Sequence, residues 1–201
     1  MMSDDNSIKI ILLGESGVGK TNLINVSLDR EFEQNSSSTI HSSYLEGILD
    51  YNNKKYTYAL WDTAGQEIYR SLNKIFIKGS KIILFVYAIN NAESFKEIEY
   101  WINSAKEALE EGKYIMALVG NKSDLYENQI VPDDEAKKFA DKYQMKLEIT
   151  SAFSDQAGFK QFLKELIIDY IESLGSEEED NNISYKLRNP GKKEKKKNKC
   201  C

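Results

Sequence analysis

The stretch GESGVGKT, residues 14–21, fits the pattern G-x-x-x-x-G-K-[ST] and lies where an apolar strand-like run gives way to a helix-like one. Its glycines allow the backbone to curl so that successive N–H groups face inward. That nest, with the helix N-terminus that follows, favours phosphate oxygens. The expected contacts are the backbone of Gly14, Glu15, Ser16, Gly17, Val18 and Gly19. The Lys20 ammonium would reach the β- and γ-phosphates, and the Thr21 hydroxyl would ligate Mg²⁺. The motif points to a nucleotide and leaves the base open. Three more stretches hold polar groups after strand-like runs: WDTAGQE (61–67), NKSD (121–124) and TSA (150–152). NKSD alone could be an ordinary polar turn.

The elements that must position these groups can be read from hydrophobic patterning. Short apolar runs at 8–14, 81–89, 114–120 and 146–150 read as buried strands. Helical spacing of apolar residues appears between them. Phe95, Ile98, Ile102, Ala105 and Leu109 keep it within 92–110. A helix over 132–143 opens at Pro132, a residue suited to a first turn. Phe159, Phe162, Leu163, Leu166, Ile167, Tyr170, Ile171 and Leu174 form one stripe within 157–174, with Gly175 as the expected stop. Alternating strands and helices predict a parallel sheet covered by helices on both faces. One interval departs from the alternation. SSYLEGILDY and KKYTYALWD flank Asn52-Asn53 and read as an antiparallel hairpin at the sheet edge. In an open α/β sheet of this kind, ligands bind at the C-terminal ends of the strands, where all four motifs fall.

Composition narrows the class. The chain has 201 residues, enough for one domain with appendages, and 41% of them are hydrophobic. Residues 1–175 carry 19 Lys and Arg against 27 Asp and Glu, a net of −8. SEEEDNN, 176–182, adds −4, and residues 183–201 carry eight basic residues against Glu194, a net of +7. An acidic body thus ends in a basic tip that could seek anionic lipid or nucleic acid. The two cysteines, Cys200 and Cys201, are too few and too close together to staple a fold. The start lacks a basic-then-apolar leader pattern, and no apolar run approaches the ~20 residues of a spanning helix. The expected organisation is a flexible N-terminus (1–7), a nucleotide-binding domain (8–175) and an unfolded tail (176–201), in a soluble protein of the reducing cytosol.

Taken together and in this order, GESGVGKT, WDTAGQE, NKSD and TSA resemble the Ras-like small GTPases, and within them the Rab family, over about residues 8–174. The resemblance implies an α/β P-loop GTPase fold: a six-stranded, mostly parallel sheet with one antiparallel edge strand and about five helices. It implies a switch that binds GTP and GDP, hydrolyses GTP slowly and needs Mg²⁺. Asp124 would accept hydrogen bonds from the guanine N1–H and 2-amino group. Adenine offers an acceptor at N1 and no 2-amino group, so a buried carboxylate would reject it. Asn121 would bond the base and tether the loops, the Lys122 stem would lie along the base plane, and the Ala152 N–H would meet the guanine oxygen. Ser151 and Phe153 would complete that loop. Phe32, twelve residues after Lys20, matches the aromatic that crosses the base.

The resemblance also supplies two switches, about 33–43 and 63–78. Thr39 would ligate Mg²⁺, Asp62 would hold it through a water, the Gly65 N–H would bond the γ-phosphate, and Gln66 would orient the attacking water. Loss of the γ-phosphate would release both loops. The implied partners are an exchange factor, an activating protein, effectors and an escort or dissociation-inhibitor protein that shields lipid. The terminal Cys200-Cys201 matches the doubly geranylgeranylated ending of Rabs and places the protein on the cytosolic face of an intracellular membrane, cycling with the cytosol. A monomer that binds no nucleic acid is expected.

The chain also departs from the family. After Thr39 the usual I-G-[VA]-[DE]-F reads IHSSY, so His41, Ser42, Ser43 and Tyr44 replace the common residues where effectors dock. The usual S-A-K reads SAF, which exchanges a cation for Phe153. Arg70 reads as a switch-surface residue. The alternatives are a nucleotide-locked adaptor, a Ras-like signalling GTPase, or a P-loop kinase or ATPase.

Overall fold

The structure is a computed structural model, and it describes residues 7–32, 43–63, 75–109 and 114–188. Its framework is a six-stranded sheet ordered β2-β3-β1-β4-β5-β6. The strands are β1 (Ile8–Leu13), β2 (Ser43–Tyr51), β3 (Lys54–Asp62), β4 (Ile82–Ala88), β5 (Ile115–Asn121) and β6 (Lys146–Ile149). Strand β2 runs antiparallel to β3, and every other neighbouring pair is parallel. The expected mostly parallel sheet with an antiparallel edge is therefore present. The hairpin turn forms at Asn52-Asn53, whose φ values of 49° and 60° are both left-handed. Asparagine tolerates that region, and two such residues give the turn whose twist suits a two-residue hairpin.

Chain order reverses at β1. Strand β3 lies on one side of it and β4 on the other. A crevice therefore opens beyond the C-terminal end of β1, the place where doubly wound sheets hold ligands. The helices that close the two faces are α1 (Lys20–Ser27), α2 (Ala92–Lys96), α3 (Ile98–Ala108), α4 (Asp133–Lys142) and α5 (Gln156–Arg188). The period-two geometry of β1 splits its side chains between two cores. Ile10 and Leu12 join Leu23, Phe159, Leu163 and Leu166 on the α1–α5 face. Ile11 and Leu13 join Phe95, Ile98, Trp101 and Ile102 on the other. Each fully buried side chain of this size contributes roughly 1.5–3 kcal/mol.

The helix expected over 92–110 is interrupted at Glu97 and becomes α2 and α3. A polar knot holds its start: the Asn91 side chain accepts from the Ser94 N–H at 3.0 Å, and Ser94 Oγ accepts from the Ala88 N–H at 3.1 Å. Pro132 stands at the N-cap of α4 and not inside its first turn. Ala136 and Ala140 give that helix its buried contacts. Leu174, placed on the α5 stripe by spacing, is 44% exposed.

The stop expected at Gly175 is not used. Helix α5 continues through it to Arg188. A mid-helix glycine costs only about 1 kcal/mol relative to alanine, and the glutamates that follow are good helix formers. Among the described residues no helix is long and apolar enough to cross a membrane. Residues 189–201, including Cys200 and Cys201, lie outside the described residues, as do Thr39, His41, Ser42, Gly65, Gln66 and Arg70.

Candidate functional site

The loop after β1 is shaped by its glycines. Gly14, Gly17 and Gly19 have φ values of 152°, 76° and 98°. A Cβ on Gly14 would stand 2.1 Å from the Val86 carbonyl oxygen, and one on Gly19 would stand 2.3 Å from Asn121 Nδ2. Only glycine fits either place. The loop, continuing through Glu15, Ser16 and Val18, leads into α1 with Gly19 as N-cap. Helical N–H groups and the positive end of the helix dipole thus face the crevice.

Lys20 lies under this loop and is only 5% exposed. Its Nζ donates to the carbonyl oxygens of Gly14 at 2.8 Å and Glu15 at 2.9 Å. Burial pulls its pKa down to about 8, against the opposing attraction of Asp62 and Glu15. A desolvated ammonium gripped by neutral carbonyls has a strong electrostatic preference for an anion. Thr21 Oγ1 donates to Asp62 Oδ2 at 2.7 Å, which brings a hydroxyl and a carboxylate together from α1 and the end of β3. Both are hard oxygen donors of the kind Mg²⁺ accepts. Among the described residues no group of three or more His, Cys, Asp or Glu is placed to hold a metal. A cation at Thr21 and Asp62 would need further oxygens from phosphate and water, the usual habit of Mg²⁺ in phosphate sites. The residues therefore fit both a polyphosphate and its cation.

Asn121 joins three loops. Its Nδ2 donates to the Val18 carbonyl at 2.8 Å, and its Oδ1 accepts from the Ala152 N–H at 3.1 Å. The tether expected of this residue is thus formed between the phosphate loop and the TSA loop. Lys122 follows in left-handed backbone, with φ of 67°. Ser151 Oγ donates to Asp124 Oδ1 and accepts from the N–H groups of Phe153 and Ser154, each at 3.1 Å. One buried hydroxyl therefore orients the carboxylate and shapes its loop. Phe32 and Phe153 meet with ring centroids 5.3 Å apart and planes tilted by 58°. Of the residues named from sequence, the structure gathers Gly14 to Thr21, Phe32, Asp62, Asn121, Lys122, Asp124 and Ser151 to Phe153 around one crevice.

Sequence reasoning missed Thr63. Its hydroxyl donates to the Leu12 carbonyl at 2.6 Å, and the side chain is buried. That bond fixes Thr63 against the end of β1. Its position between Asp62 and Ala64 inside WDTAGQE was the available signal.

A second surface lies beside this crevice. Tyr44 stacks on Trp61 at 5.1 Å, and Trp61 meets Phe76 at 6.2 Å. Lys9 Nζ stands 4.5 Å from the Trp61 ring. Tyr44, Ile48 and Ile75 are all exposed.

The model of the Ras family matches residues 9–172. The chain is also 36% identical over 165 residues to Ras-related protein rab-11.1 of Caenorhabditis elegans, across 81% of this chain and 78% of the relative.

Proposed function

Because the chain belongs to the Ras family, as a Rab-like small GTPase that hydrolyses GTP, we propose that it directs a step of intracellular vesicle traffic by binding effectors in its GTP state. The observation that supports the site assignment is the pair of hydrogen bonds by which Asn121 donates to the Val18 carbonyl and accepts from the Ala152 N–H, tying the phosphate loop to the proposed base-reading loops.

In this reading Asp124, oriented by Ser151, selects guanine. Lys122 lies along the base, the Ala152 N–H, which donates to Asn121 Oδ1 in the structure, would be shared with the guanine oxygen, and Phe32, backed by Phe153, crosses the base. Lys20 and the backbone of residues 14–19 hold the phosphates. Thr21 and Thr39 would ligate Mg²⁺ and Asp62 would hold it through a water. When bound, the ion neutralises charge on the β- and γ-phosphates. The Gly65 N–H would detect the γ-phosphate and Gln66 would orient the water.

Partner contact is assigned to the aromatic strip of Tyr44, Trp61 and Phe76, which lies where β2 and β3 meet the proposed switches. Tyr44 is exposed and Trp61 and Phe76 are half-buried, and aromatic side chains at a surface are common anchors of protein interfaces. The presence of His41, Ser42 and Ser43 just before Tyr44 suits effectors other than the most common Rab partners. An exchange factor, an activating protein and an escort or dissociation-inhibitor protein complete the cycle. Geranylgeranyl groups on Cys200 and Cys201 hold the protein to the cytosolic face of a membrane. The nucleotide released when the purified protein is denatured tests the assignment. GDP or GTP is expected, with slow single-turnover conversion of GTP to GDP, and an adenine nucleotide would overturn it.

A further inference from the structure

We infer that Phe153 is a positioning residue for nucleotide retention: through its ring contact with Phe32 it ties the root of segment 33–42 to the loop that reads the base. This rests on the guanine-site reading above. The root is the stretch that leaves α1, and an ion pair, a ring contact and core packing join it to the rest of the fold. Lys160 of α5 makes an ion pair with Asp29, whose side chain is 87% exposed. Solvent screening leaves such a pair weak. Phe32 meets Phe153 at 5.3 Å between centroids and tilted by 58°, a favourable geometry for two aromatic rings. Phe32 also packs against the α1–α5 core, while Phe153 is 60% exposed.

Phe153 is itself tightly mounted. Its N–H donates to Ser151 Oγ, the same hydroxyl that orients Asp124. Any movement of the root that shifts Phe32 therefore acts on a ring joined by one residue to the base-reading carboxylate. Where related GTPases read SAK, this chain reads SAF. The contact with Phe32 is accordingly an apolar one that salt does not screen.

The test is dissociation of fluorescently labelled GDP from the full chain, chased with excess GDP, for Phe153→Ala, Phe153→Tyr, Phe32→Ala and the Phe32→Ala/Phe153→Ala pair. Phe153→Ala is expected to speed release by about three- to tenfold, the scale of one aromatic pair. Phe153→Tyr keeps the ring and should stay within about twofold of the parent. The double variant should release no faster than Phe32→Ala, within about twofold, because both changes remove one contact. Unchanged release in Phe153→Ala, or single effects that multiply in the double variant, would overturn the inference. Asp124→Asn separates this from the reading beneath it. If that variant still prefers guanine, the site assignment fails. If it loses the preference while the two ring effects multiply, only the role of Phe153 fails.

Discussion

Thr21 Oγ1 and Asp62 Oδ2 are hydrogen-bonded at 2.7 Å although 41 positions separate them in sequence. The bond joins the first turn of α1 to the last residue of β3, strands β1 and β3 being neighbours in the sheet. It places the two described oxygen donors of the proposed Mg²⁺ site in contact.

Thr21→Asn should therefore weaken the triphosphate state more than the diphosphate state. The preference for GTP over GDP should fall by about tenfold or more, the scale of one lost bond to a charged group. Equilibrium binding of both nucleotides with Mg²⁺ measures it. Equal losses for the two would remove Thr21 from the metal site.

Asp124→Asn exchanges an acceptor for a donor facing the guanine 2-amino group. GTP binding should weaken by about 1.5–3 kcal/mol, and XTP, whose 2-oxo group accepts, should gain. Competition between the two nucleotides reads the change directly. An unaltered preference for GTP would contradict the base assignment.

Gly19→Ala would drive a methyl group to 2.3 Å from Asn121 Nδ2, at a backbone φ of 98°. The bond from Asn121 to Val18 cannot survive that contact unchanged. Backbone strain alone costs roughly 1–3 kcal/mol. Both nucleotide affinity and thermal stability should drop, and a variant that kept its affinity would show that the Asn121 tether is dispensable.

Glu148 gives a pH-dependent prediction. Burial chiefly, with help from Asp155 and Glu165, raises its carboxyl above the ordinary value of 4.5. A raised folded pKa means that the folded state holds this proton more firmly than the unfolded chain does. Stability from this group is present below about 4.5 and falls as pH rises through the folded value. Glu148→Gln should have a higher Tm than the parent at pH 7, with the gap closing on acidification. A constant gap at every pH would show that ionisation is not the cause.

Cys200→Ser with Cys201→Ser should make the protein cytosolic without changing GTP binding. Stable attachment needs two lipid signals, and the neighbouring lysines add at most about 1 kcal/mol each near anionic lipid. Membrane fractionation decides it, since persistence of the double-serine form in the pellet would assign the anchor elsewhere.

The local parts of this protein were legible in the sequence because local patterning dictates them. The apolar runs became β1, β4, β5 and β6, Asn52-Asn53 became the hairpin turn, and GESGVGKT fixed a loop that only glycine backbone can follow. The motifs also named the chemistry, since a P-loop lysine or a guanine-reading carboxylate is recognisable by type and order. Spacing could not decide how far α5 runs, because a single glycine is a weak penalty that a long helix absorbs, nor that Leu174 would face solvent. It could not bring Thr63 to Leu12, Asn121 to Val18 and Ala152, or Phe32 to Phe153. These contacts join residues on different strands and loops, and they exist only once the parallel sheet has set β1 between β3 and β4 and aligned the strand ends at one crevice. Sequence thus determined which groups could do the chemistry, and tertiary structure decided which of them meet.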